Sequence, residues 1–345
     1  MMSALSLALA ALAPSGTGAP APFTERKLEV AQGRSLFLRC AGEGPVTVLF
    51  DSGGSDWSIV WTALQQRIAG RARACAYDRA GLGRSDPAPG PRTPFAIASD
   101  LHAMIDGAGF RQPVVLVGHS LGGFHVKLAA ALFPQDVAGL VLLDPSEERS
   151  WERTRGPLGA KHGVANAARA ELADRSFFPA LVEKYRGCAE RAKAAGGLDP
   201  AAPDWRRCAD PDRPALGDEA NAERRRIHST PTYQAAQYSE IAWCVYADPS
   251  ADGVYARLFR PGMLGNKPVA VLTHQEEQSD DPVDRVNAEQ GLLLHRETAA
   301  LSRRGTHRLV TGSGHYIQLD QPEVAARAIL AVVEKVGRQP APPRN

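Results

Sequence analysis

Pro113-Val114-Val115-Leu116-Val117-Gly118-His119-Ser120-Leu121-Gly122-Gly123-Phe124 joins an apolar run to a glycine-flanked serine and then to a helix-forming stretch that ends before Pro134. Five consecutive apolar positions have the character of a parallel strand covered on both faces. The segment from Gly122 to Phe133 carries apolar residues at helical spacing, and Pro134 stops it. Between the two, Gly118-His119-Ser120-Leu121-Gly122 fits the pattern G-x-S-x-G, in which a serine sits on a sharp strand-to-helix turn with its hydroxyl exposed. Such a turn needs small neighbours, because strand, helix and any ligand crowd the same space. Five-residue patterns arise by chance in glycine-rich loops. The strand before this one and the helix after it give it meaning.

Working outward, short apolar runs near 36–38, 46–50, 72–77, 114–117, 140–143, 269–272 and 309–310 read as strands. Helical spacing at 56–69, 94–108, 122–133, 286–302 and 322–336 falls between them. This alternation predicts an α/β fold with a mostly parallel sheet, helices on both faces, and ligands bound outside the C-terminal strand ends.

The alternation stops between Asp144 and Pro268, where Ala, Arg, Glu and aromatic residues dominate and a helical insertion after the sixth strand is expected. Tyr238, Ile241 and Val245 lie at helical spacing and are expected to form the insertion's own core. The expected organisation is a leader over 1–22, a first core segment over 23–146, a helical lid over 147–263, a second core segment over 264–337, and a Pro-rich disordered tail over 338–345. Ala4 to Ala13 resembles the apolar stretch of a secretory signal, with Ala11-Leu12-Ala13 or Ala19-Pro20-Ala21 as cleavage site, although no Lys or Arg precedes it. A periplasmic or secreted protein is therefore expected, with a cytoplasmic one as the alternative.

The formal charge of +2 over 345 residues gives no field that implies nucleic acid or an anionic membrane, and the basic runs 206–207 and 224–226 read as solvated faces. No apolar run is long enough for an integral membrane segment. The five cysteines show no C-x-x-C spacing and no H-E-x-x-H accompanies them, so neither a structural metal nor a cofactor is implied. Cys188 and Cys208 bracket a polar loop that a disulfide would close.

A serine hydroxyl is a poor nucleophile near neutral pH and needs a base, itself oriented by a carboxylate. His315, in Gly312-Ser313-Gly314-His315-Tyr316 after the last short strand, is the best base, and its position gives the chain order serine, acid, histidine. For the acid, Asp144 is preferred because it ends the strand Leu140-Val141-Leu142-Leu143, on the same sheet edge as Ser120. Asp280, Asp281 and Asp284 are the alternatives, Asp281 foremost, in an acidic loop after the next strand. An oxyanion hole needs two backbone N–H groups. Leu121 supplies one, and Gly53 of Asp51-Ser52-Gly53-Gly54 is the expected second. Asp78-Arg79-Ala80-Gly81-Leu82-Gly83-Arg84-Ser85-Asp86 lacks the third glycine of a dinucleotide fingerprint and reads as a structural turn with Asp78 and Arg79 paired.

Together, the segments 75–86, 118–123 and Gly314-His315 resemble the α/β-hydrolase superfamily, over nearly everything from Val30 to Val336 except the insertion. The resemblance implies an eight-stranded sheet, neighbouring strands bearing Cys40 and Cys75, and a triad of Ser120, His315 and an aspartate. Many relatives have His-Gly where this chain has Asp51-Ser52. The expected activity is cleavage of a small-molecule carboxylic ester through an acyl-enzyme. Amide, lactone or carbon–carbon hydrolysis by the same residues, or a non-catalytic ligand-binding homologue, are the alternatives. Serine rather than aspartate at the nucleophile position argues against haloalkane dehalogenase or epoxide hydrolase chemistry.

Overall fold

A computed structural model describes residues 19–31, 33–110, 113–275 and 279–338. Eight strands form one sheet: β1 (Phe23–Ala31), β2 (Arg34–Ala41), β3 (Thr47–Asp51), β4 (Arg73–Tyr77), β5 (Val114–His119), β6 (Val137–Leu143), β7 (Val269–Gln275) and β8 (Gly305–Thr311). Their spatial order is β1-β2-β4-β3-β5-β6-β7-β8. β1 and β2 pair antiparallel, β2 pairs antiparallel with β4, and every later pairing is parallel. The mostly parallel sheet read from the apolar runs is thus present, with an antiparallel edge.

All residues of β3, β5 and β6 are buried, because helices cover both faces. The helices between strands are α1 (Thr62–Ile68), α2 (Pro94–Gly107) and α3 (Leu121–Leu132). The segment between β6 and β7 carries α4 (Ser150–His162), α5 (Val164–Ala195), α6 (Gly217–His228), α7 (Pro231–Ala242) and α8 (Asp252–Leu258), so the insertion after the sixth strand is helical. The C-terminal part adds α9 (Pro282–Ala299), α10 (Ile317–Asp320) and α11 (Pro322–Gly337). Among the described residues no helix is long and apolar enough to cross a membrane. The expected leader lies largely outside the described residues, as does the tail beyond Arg338.

Three expectations are corrected. Ile241 and Val245 join the core beneath the sheet with Leu121, Phe124 and Leu142, and Tyr238 packs against it, so these residues anchor the insertion to the sheet. Arg224 is buried, facing Asp56 and Asp210 at 3.5 and 3.7 Å, and is not part of a solvated face. Arg79 does not pair with Asp78. The Asp78 carboxylate instead accepts from the Ser58 and Arg84 N–H groups at 2.9 and 2.8 Å, which closes the turn.

Disulfides join Cys40 to Cys75 and Cys188 to Cys208, and Cys244 is a buried free thiol. Cys40 and Cys75 face each other in register on β2 and β4, as the resemblance implied.

Candidate active site

Ser120 lies between β5 and α3 with φ 52° and ψ −125°, a conformation that costs a non-glycine residue on the order of 1–3 kcal/mol. Its surroundings hold it there. The Ser120 N–H donates to Leu143 O at 3.2 Å, and the Ser146 N–H donates to Ser120 O at 2.9 Å. A Cβ at Gly118 would lie 2.4 Å from Gly122 O, and one at Gly122 would lie 2.4 Å from Asp51 O and Ser52 O. The turn therefore closes only with glycine at both places.

His315 extends from the loop after β8, half exposed, with Nδ1 2.5 Å from Asp144 Oδ2. Asp144 follows β6, itself at positive φ (46°), and is buried. Burial alone would raise its pKa, but hydrogen bonds from His274 and His315 and the charge of His315 hold the carboxyl far below the usual range. An ionised carboxylate only accepts, so the proton of neutral His315 sits on Nδ1 and Nε2 carries the lone pair. Ser120, Asp144 and His315 line one cleft of about 940 Å³, with Phe178 and Tyr246 of the insertion and Arg285 of α9 on its wall. Asp281, the alternative acid, is exposed and caps α9 by accepting the Val283 N–H at 2.7 Å. Asp280 is exposed as well, and Asp284 accepts from Ser279 Oγ at 2.7 Å.

The loop after β3 lies directly behind the turn: a Cβ at Gly53 would meet His119 Nδ1 at 2.8 Å and Ser120 Cβ at 3.4 Å. Leu121 is the first residue of α3, so its N–H has no helical carbonyl to bond. Gly53 and Leu121, the two predicted donors, thus flank Ser120.

Sequence reasoning missed what holds this loop. Arg79, 1 % exposed, donates from Nη1 to Asp51 Oδ1 at 2.6 Å and to Ser52 O at 2.5 Å, and from Nη2 to Gly53 O at 2.7 Å. Its Nε and Nη2 reach the two carboxylate oxygens of Glu240 on α7, at 2.7 and 2.8 Å. Asp51 also accepts from the Tyr77 hydroxyl at 2.8 Å. Two carboxylates keep the Arg79 guanidinium charged despite its burial. The Asp51-Ser52 departure from the His-Gly pattern therefore belongs to a buried ion network that ties the insertion to the loop. A lone Glu among Tyr233, Ala236, Gln237 and Ile241 on the inward face of α7 was the available signal.

Other histidines are also accounted for. His119 Nε2 donates to the His315 carbonyl at 2.9 Å, and burial pushes its pKa down to about 3, so it stays neutral and supports the base loop. His274, near the end of β7, places Nδ1 2.7 Å from Asp144 Oδ2 and donates its backbone N–H to Oδ1 at 3.3 Å. His295 donates from Nε2 to Pro145 O at 2.9 Å and accepts at Nδ1 from Thr273 Oγ1 at 2.7 Å.

The sequence profile of the Alpha/beta hydrolase family matches residues 36–328. The chain belongs to that family. The chain is 38% identical over 117 residues to Lipase LipV of Mycobacterium tuberculosis, a match covering 34% of this chain and 44% of the lipase. It is 29% identical over 121 residues to the putative carbamate hydrolase RutD of Azorhizobium caulinodans, covering 35% of this chain and 43% of that protein. Each of these matches spans less than half of the curated relative. Among solved structures, a thermophilic esterase from Thermogutta terrifontis aligns over 91% of this chain and 99% of its own, with TM-score 0.55 and 20% identity. A putative epoxide hydrolase from Pseudomonas aeruginosa aligns over 93% and 99%, with TM-score 0.64 and 20% identity. These likenesses extend to the fold.

Proposed function

We propose that this hydrolase cleaves carboxylic esters through an acyl-enzyme on Ser120. The observation that carries the reading is the 2.5 Å contact between His315 Nδ1 and the buried Asp144, on the cleft that also holds Ser120. His315 Nε2 takes the Ser120 proton as Oγ attacks the ester carbonyl, then delivers it to the departing alkoxide. Water enters by the reverse sequence, with His315 as base, and releases the acid and free Ser120. Asp144 keeps His315 in the useful tautomer and stabilises the imidazolium formed in between.

The oxyanion is received by the N–H groups of Leu121 and Gly53. A trans peptide points its C=O and N–H in opposite directions. Arg79 holds Ser52 O at 2.5 Å, so the Gly53 N–H points away from the ion network. The insertion serves as the lid, with Phe177, Phe178 and Tyr246 offering apolar surface to the acyl or alcohol group.

The test is hydrolysis of p-nitrophenyl esters from acetate to palmitate, with labelling by a fluorophosphonate probe. Wild type is expected to turn over and to be labelled, and Ser120→Ala to do neither. An unlabelled, inactive wild type overturns the proposal in favour of a binding protein. Export to an oxidising compartment belongs to the same reading, supported by the two disulfides. Fractionation of the native host that finds the protein in the cytosol, with all five cysteines reduced, refutes it.

A further inference from the structure

We propose that Asp144, His274 and His315 form a capture site for a transition-metal dication of the Zn²⁺ class, and that its occupancy switches the hydrolase off. The triad requires one imidazole on its carboxylate, yet Asp144 carries two. His315 Nδ1 and His274 Nδ1 meet the same Oδ2 at 2.5 and 2.7 Å. The candidate ligand atoms of the three residues all lie within 4.8 Å of one another. The two rings stand at 79° with centroids 6.0 Å apart, so they approach the carboxylate from different directions. Two imidazole nitrogens and one carboxylate oxygen suit Zn²⁺, Cu²⁺, Ni²⁺ or Co²⁺ rather than Mg²⁺ or Ca²⁺. Metal–ligand distances of about 2.0–2.2 Å set donors roughly 3.3 Å apart in a tetrahedron, so each contact opens by somewhat under about 1 Å.

Access and support are both present. His274 and His315 side chains are 32% and 43% exposed on the cleft, so an ion reaches them from solvent and a water completes its coordination. The His274 backbone N–H holds Asp144 Oδ1 at 3.3 Å. No local spacing announces this site, because its ligands come from the ends of three different strands.

Inhibition follows from the tautomer. A metal on Nδ1 of neutral His315 takes the lone pair there, and the proton moves through solvent to Nε2. No proton is gained or lost, but Nε2 is now filled and cannot accept the Ser120 proton. This consequence rests on the serine mechanism proposed above; the binding does not.

The test titrates ZnCl₂ by calorimetry into the full, disulfide-intact chain as wild type, Ser120→Ala, His274→Ala, His274→Asn and His102→Ala. His102, with Asp106 and Asp136, forms the other His/Asp cluster among the described residues and controls for adventitious binding. Wild type, S120A and H102A are expected to share one Zn²⁺ affinity at this site. Both His274 variants, checked for native melting, are expected to bind at least about tenfold more weakly, the scale on which even supporting partners of a metal ligand act. Zn²⁺ is expected to inhibit p-nitrophenyl acetate hydrolysis in wild type and H102A reversibly with EDTA, with the half-inhibiting concentration raised at least tenfold in H274A. Absence of Zn²⁺ binding, or wild-type affinity in both His274 variants, overturns the proposal. If the protein takes no fluorophosphonate yet binds Zn²⁺ through His274, the serine mechanism falls and the metal site stands.

Discussion

Replacing Asp144 by Asn removes one charge and changes which proton His315 carries. Oδ2 accepts from both imidazoles, at 2.5 and 2.7 Å, while Oδ1 accepts the His274 backbone N–H at 3.3 Å. An amide has one acceptor oxygen and an NH₂ group that only donates. If the NH₂ faces the His274 backbone, two donors confront each other and neither can change. If it faces the imidazoles, each ring adapts by moving its proton to Nε2. The second arrangement costs less, so the substituted amide fixes His315 in the tautomer that cannot act as base. The expected loss is therefore at the wrong-tautomer end of the range for such substitutions, about 10⁴-fold in kcat, which at 1.36 kcal/mol per tenfold is about 5.4 kcal/mol of barrier. The assay is steady-state hydrolysis of p-nitrophenyl acetate at neutral pH by wild type, Asp144→Asn and Asp281→Asn. Asp281 only caps α9, and Asn caps nearly as well, so Asp281→Asn is expected within about twofold of wild type. An Asp144→Asn enzyme within tenfold of wild type, or one less impaired than Asp281→Asn, refutes the assignment.

Two further predictions concern buried charge. Arg79→Lys keeps the charge but loses the fork that reaches Asp51, Glu240 and two carbonyls together. Leaving part of that network unpaired is expected to cost about 3 kcal/mol or more and to lower the thermal midpoint by about 4 °C or more; an unchanged melting curve by calorimetry contradicts the network's role. His228, buried against Trp57 and Tyr233, has its pKa pushed down to about 3, by desolvation first and then by the Arg224 charge. It is neutral when folded, whereas the unfolded chain protonates it below about pH 6.5, so its contribution is present above 6.5 and is lost as pH falls toward 3. His228→Phe should flatten the acid-side fall of unfolding free energy by about 1.4 kcal/mol per pH unit, measured by urea titration between pH 4 and 6; a slope equal to wild type counts against it.

What the sequence made legible was whatever is decided locally. The nucleophile turn needs only a strand, three glycines and a helix, all within some twenty residues, and it is found where it was read. Strand β1 escaped because its faces are not separated by polarity: Thr24-Glu25-Arg26-Lys27 are all exposed on an antiparallel edge. No apolar run marks such a strand. The Arg79 network escaped because its members are 28 and 161 residues apart, and the nearest acid in sequence, Asp78, is engaged by backbone N–H groups. His274 was indistinguishable from any polar residue at a strand end. Its contact with Asp144 follows from β6 and β7 being neighbours, which needs the sheet order.

That sheet order also explains how the chain sustains positive φ at both Ser120 and Asp144. The paired registers end at His119↔Leu143 and Leu143↔Leu272, and Gln275↔Thr311 closes the last strand pair. One step beyond, the backbone bonds continue across the sheet: Ser120 N–H to Leu143 O, Asp144 N–H to Leu272 O, and Gly312 N–H to Gln275 O, at 3.2, 2.8 and 3.2 Å. Ser120 and Asp144 thus stand at the first positions after their strands, each tied by its own N–H to the neighbouring strand. His315 follows three residues after the corresponding bond on β8. The relative placement of Ser120 and Asp144 is therefore set by strand register, and His315 meets Asp144 from the loop after β8. Strands β5 and β6, buried on both faces, resist the slippage that would release the strain. The insertion reaches this frame through Glu240 and Arg79 onto the loop that carries Gly53, and through Arg213, which donates from Nη2 to the hydroxyl of Tyr316, the residue after His315, at 2.7 Å. Movement of the insertion is accordingly expected to alter both the placement of the Gly53 loop and that of the loop bearing His315.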